Sequence, residues 1–163
     1  YPSDEVNKKS VMLSPALSMK SHIIYLKEVD TGQGISYGST FVTKRRTKVA
    51  TVPVGYGDGY QRNLSNKGYV LINGRKVNIV GRVCMDQFMV DVTGMDVKEG
   101  DKVTLIGKEG DEEITVDELA TLAGTFNYEF VCDLSKRIPR VYVKDDKIVG
   151  TKDYFDDRYD VDL

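Results

Sequence analysis

Short runs of Val, Ile, Thr, Tyr and Phe, separated by turn residues about every eight to twelve positions, set the pattern of the chain. That spacing predicts strands and a mainly β fold. The clearest hairpin is Tyr69-Val70-Leu71-Ile72, then Asn73-Gly74, then residues 75–80, because Asn-Gly suits the two positive φ angles of a type I′ turn. Further strands are expected at residues 21–29, 40–44, 48–53, 88–92, 102–106 and 139–149, the last broken by an Asp145-Asp146 turn. In Met89-Val90-Asp91-Val92 a charge interrupts an apolar run, which implies an exposed face or a paired carboxylate. One helix is expected over Val116–Ala123, since Thr115 and Glu118 form a capping box and Gly124 stands at the C′ position. Seven or more short strands with one short helix favour an antiparallel, Greek-key-like β-barrel, in which closure removes exposed edges. A sandwich is the alternative.

Composition narrows the class without naming a function. At 163 residues the chain suits one domain, and 40% hydrophobic with 29% charged residues is ordinary for a globular protein. A formal charge of −2 advertises neither a nucleic-acid nor a membrane partner. No apolar run is long enough for a transmembrane helix, and residues 1–10 lack the apolar stretch of a secretory signal. Cys84 and Cys132 are far apart and His22 is near neither, so no metal site is expected. Two sparse cysteines fit buried free thiols in a reducing cytoplasm. The triplet Lys44-Arg45-Arg46 reads as a solvated turn. Residues 1–15 read as a linker from an upstream element, 16–150 as the β domain and 151–163 as an acidic tail with five Asp.

Four segments could carry chemistry: Gly34-Ile35-Ser36-Tyr37-Gly38, Val54-Gly55-Tyr56-Gly57-Asp58-Gly59-Tyr60, Gly81-Arg82-Val83-Cys84-Met85-Asp86-Gln87 and Gly124-Thr125-Phe126-Asn127-Tyr128-Glu129. The second has the spacing G-x-G-x-G, with Tyr60 where a dinucleotide fingerprint needs its third glycine and no helix expected after it, so that reading is rejected. In this order the segments resemble the C-terminal domain of bacterial alanine racemase, a two-domain pyridoxal-phosphate enzyme. Tyr1-Pro2-Ser3-Asp4-Glu5-Val6, the run Ser14 to Ser21 and Pro139-Arg140-Val141-Tyr142 extend the resemblance over nearly the whole chain. Members usually carry Ala where this chain has Gly57, a departure that bears on the stiffness of the loop.

The resemblance implies that the family's first domain, a (β/α)8 barrel bearing the Lys that holds pyridoxal phosphate, lies upstream of this chain. It implies a homodimer in which the second domain of one subunit covers the barrel mouth of the other. Tyr37 then matches the catalytic Tyr that works opposite the barrel's Lys, so that protons are handled on both faces of a small amino-acid substrate. Met85 matches the residue whose backbone meets the substrate carboxylate, and Tyr128 the one whose hydroxyl holds the cofactor phosphate. Tyr56, Arg62, Arg82 and Phe126 match the lining of the substrate passage, while Asp86 is expected to orient that layer or pair with one of its arginines. Taken singly, each has a blander reading: a strand-end Tyr, a Met filling the core, a Tyr packed beyond the helix, solvated arginines. The implied activity is interconversion of L- and D-alanine for peptidoglycan. Two alternatives remain, a non-catalytic dimerisation or binding module and a racemase for serine or lysine.

Overall fold

A computed structural model describes Ser10 and residues 12–155. Two sheets carry most of the packing, and all strand pairs are antiparallel. The larger orders β1 (Met19–His22), β9 (Lys102–Glu109), β6 (Tyr69–Ile72) and β7 (Arg75–Asn78), with β10 (Glu112–Ile114) also on β9. The second orders β2 (Tyr25–Val29), β5 (Thr47–Val52) and β8 (Phe88–Asp91). Two small ribbons complete the described strands: β3 (Gly34–Ile35) with β4 (Phe41–Val42), and β11 (Arg140–Lys144) with β12 (Lys147–Lys152).

The expected strand over 21–29 is two strands, because the chain changes sheets between adjacent residues. Ile23 N–H donates to Asp101 O at 2.9 Å in the larger sheet, and Ile24 N–H to Thr51 O at 3.0 Å in the second. Ile23 is fully buried at this corner. A bridge between Ile79 and Val90 joins the sheets again on the far side. The result is barrel-like, with Val52, Val70, Leu71, Phe88, Val90, Val103 and Leu105 buried in one core. Burying side chains of this size contributes roughly 1.5–3 kcal/mol each.

The hairpin forms in the expected register, Ile72 opposite Arg75, with Asn73 at φ 51° and Gly74 at φ 69°. Asp91 is the paired carboxylate anticipated, bonded to Arg45 at 2.9 Å. Arg46 likewise pairs with Glu28, so two members of the basic triplet serve surface ion pairs.

Helix α1 (Val116–Ala123) has the expected capping box, with Thr115 Oγ1 accepting from Glu118 N and Glu118 Oε2 accepting from Thr115 N. A second helix, α2 (Asn127–Asp133), corrects the expectation of one. It has no side-chain cap and holds its place by inserting fully buried Phe130 edge-on against Tyr60, ring centres 6.5 Å apart. Cys132 lies two residues on, which on a helix turns it away from Phe130. It is exposed, against the expectation of two buried thiols, while Cys84 is buried and both are free. The upstream reading of residues 1–6 and most of the acidic tail fall outside the described residues.

Candidate functional site

Tyr37 is placed by a strained backbone. Ser36, just before it, has φ 63° and ψ −178°, a region that side chains with a β-carbon rarely occupy. Its hydroxyl donates to Arg82 O at 2.8 Å and lies 3.3 Å from Cys84 Sγ, which ties the first segment to the third. Close approach of the two backbones requires Gly81, because a β-carbon there would sit 2.6 Å from Ile35 O and 2.8 Å from Ser36 Cβ. The Arg82 guanidinium sits beside Gly38, on the other flank of Tyr37.

The second segment docks on the same turn. Tyr56 N–H donates to Cys84 O at 3.0 Å and Gly57 N–H to Met85 O at 2.9 Å. Within the loop, Asp58 accepts from Gly55 N at 2.9 Å. Arg137 then bridges both segments, 2.6 Å from Asp86 and 3.5 Å from Asp58. Its hydrogen bond to Asp86, followed by the charge of Asp58, holds the guanidinium's pKa above its ordinary value. Asp86 was expected to orient its layer or to pair with Arg62 or Arg82, and Arg137 is the arginine it pairs with. No motif marked Arg137, since its contact with Asp86 spans 51 positions without periodicity.

The fourth segment closes the row. Phe126 and Tyr128 stack at a tilt, ring centres 6.3 Å apart. Gln61 Nε2 donates to Asp133 at 2.8 Å and Asn63 Nδ2 to Ala123 O at 3.1 Å, which fixes both helices beside the loop holding Tyr56 and Arg62. Between them lies a cleft of about 460 Å³ lined by Tyr56, Arg62, Thr125, Glu129 and Asp133 among others.

Five large side chains of these four segments lie outside the core: Tyr37 is 74% exposed, Phe126 59%, Met85 52%, Tyr128 52% and Tyr56 47%. A core role for Met85 is thereby removed. Arg62 and Asp86 are exposed as well, and Arg82 is half-buried. Among the described residues, the hydroxyls of Tyr37 and Tyr128 and the amide N–H groups of Met85 and Asp86 make no hydrogen bond. One surface thus combines unused donors, aromatic rings and two guanidinium groups, a set suited to a small anionic ligand. No group of three His, Cys, Asp or Glu among the described residues could hold a metal ion.

Comparison with known proteins decides the family, because the alanine racemase C-terminal domain family matches residues 16–142. The chain belongs to it. Alanine racemase of Clostridium perfringens strain SM101 is 47% identical over 155 residues, 94% of this chain and 40% of that protein. Alanine racemase of Bacillus anthracis, solved with bound L-Ala-P, superposes with a TM-score of 0.90 at 44% identity, covering 95% of this chain and 40% of its own. Alanine racemase of Clostridium difficile 630 in complex with cycloserine gives 0.86 at 43% identity, with the same coverage. The chain therefore spans about 40% of the length of these racemases. No helix among the described residues is long and apolar enough to cross a membrane.

Proposed function

We propose that this chain is the second domain of an enzyme that interconverts L- and D-alanine, with Tyr37 as the acid/base group on one face of the substrate. The observation that carries this reading is the exposed Tyr37 phenol on the same surface as the unused Met85 and Asp86 amides. A carboxylate held by the Met85 amide would leave the α-carbon open to the phenol, while Arg62 and Arg82 draw the anion in. Tyr56 and Phe126 narrow the passage to a small side chain. Asp86 orients this lining through Arg137.

The chain's own donors suit pyridoxal phosphate: the Tyr128 hydroxyl is exposed, lacks an acceptor and can donate to a phosphate oxygen. When bound, that cofactor supplies the electron sink that makes the α-proton removable. The second acid/base group and the cofactor Lys belong to a barrel domain joined through residues 1–15, with residues 16–150 as the catalytic β domain and 151–163 as its tail. A homodimer would set this surface over the partner's barrel. Two free thiols and no disulfide among the described residues agree with action in the cytoplasm, on the route to peptidoglycan.

The test is Tyr37→Phe in the full-length protein that carries this chain. Racemisation should fall by roughly 10²-fold or more in both directions, since the equilibrium between enantiomers is fixed. Solvent deuterium should still exchange into the substrate from the other face. Near wild-type rates would sink the reading.

A further inference from the structure

Arg137 lies in none of the four motif segments, yet it touches two of them. Its Nη2 is 2.6 Å from Asp86 Oδ1 and its Nε 3.5 Å from Asp58 Oδ1. Asp58 is itself fixed, accepting from Gly55 N at 2.9 Å, and its carbonyl accepts from Ser135 N at 3.0 Å. The guanidinium thus reaches from an anchored carboxylate to a turn whose Met85 and Asp86 amides donate to nothing among the described residues. The turn is closed by Cys84 N–H donating to Gln87 O at 2.9 Å, and neighbouring contacts set where it lies against the loop. Besides Arg137, the ties from the loop are Tyr56 N–H to Cys84 O and Gly57 N–H to Met85 O, at 3.0 and 2.9 Å. Room for the guanidinium comes from Gly57: a β-carbon there would lie 2.2 Å from Arg137 Nη1 and 3.0 Å from Met85 O.

We propose that Arg137 is a positioning residue which clamps the Met85-Asp86 turn to the 55–58 loop and so sets the Met85 amide for the substrate carboxylate. It rests on the racemase reading above. It touches no reacting atom, so its removal acts mainly on binding. The contact is partly solvated, which limits its worth to that of an exposed ion pair, about a fivefold change in an equilibrium constant.

The experiment compares Arg137→Met, Arg137→Lys and Gly57→Ala with wild type in the full-length protein. Arg137→Met should raise KM for alanine about fivefold and leave kcat within about twofold, with Tm and cofactor absorbance retained. Amide hydrogen exchange at Tyr56 and Gly57 should quicken about fivefold, because their acceptors lie in the released turn. Arg137→Lys, which keeps a cation between the carboxylates, should recover part of the KM change. Gly57→Ala should reproduce part of it by displacing the guanidinium. An unchanged KM overturns the proposal. So does a joint loss of kcat, Tm and absorbance that Lys does not relieve, since the role is then structural. If wild type does not racemise alanine, the carboxylate assignment falls with the racemase reading, and unchanged exchange in Arg137→Met would remove the clamp itself.

Discussion

Tyr60 and Tyr37 show how little a residue's type says about its task. Tyr60 is fully buried, stacked on Phe88 at 5.2 Å, and its hydroxyl lacks a partner among the described residues. Burial, followed by the nearby Tyr69, pushes its phenol far above the usual range. Tyr60→Phe removes an unsatisfied oxygen and keeps the ring, so it should raise stability by about 1 kcal/mol in chemical denaturation and leave the proposed racemisation unchanged. A loss of stability would mean that the hydroxyl has an acceptor. Tyr37, with the same side chain, is turned outward by the strained Ser36 and the Gly81 contact. Neighbours decide the difference. Those around Tyr37 were legible because they lie within contiguous motifs. Arg137 was not, because an ion pair between distant positions leaves no local trace.

At the scale of elements, local signals were readable wherever local chemistry decides. Helix α1 begins and ends where Thr115, Glu118 and Gly124 indicate. Burial raises the pKa of Glu118, but hydrogen bonds from the Thr115 amide and hydroxyl, then Tyr69 and the charge of Lys76, outweigh it and leave the carboxyl below its ordinary value. A depressed carboxyl stabilises the fold above its unfolded pKa and loses that contribution as pH falls through the folded one. Thr115→Ala should therefore cost about 1 kcal/mol at neutral pH. The deficit should shrink as pH drops below about 4.5, the ordinary value for Glu118, and thermal melts of both proteins from pH 7 to 3 check this. A constant deficit would mean that the Thr115 hydroxyl does not help to hold the Glu118 carboxylate, whose bond to the backbone N–H at 115 survives the substitution. Helix α2 leaves no local signal, because it is short, has no side-chain cap and relies on Phe130 meeting Tyr60. Residues 21–29 carry the pattern of one strand although they form parts of two, because periodicity marks extended backbone and is silent on which sheet it joins.

For the whole molecule, the core and the surface divide the labour. The described residues bury one main core and a smaller cluster of Ile35, Val49 and Val80, so the 163 residues expressed by themselves should unfold cooperatively. On the proposed reading they should not racemise alanine, since Tyr37 would then need a second acid/base group across the substrate, outside these residues. Incubation with pyridoxal phosphate, borohydride trapping and gel filtration test this. Stable absorbance on a Lys of these residues, or turnover, would contradict it. The corner at Ile23 has a bearing on how the chain comes to be folded at all. Met19 pairs with Ile106, so the earliest described strand waits for one of the latest in the larger sheet, and Ile23 is sealed only when Asp101 arrives. Closing so long a stretch is entropically costly and slow. During synthesis, β2, β5 and β8 can assemble while β1 still hangs open. Strand β1 is thus fastened only once β9 is made, whereas the second sheet, whose strands are all earlier in the chain, need not wait for it.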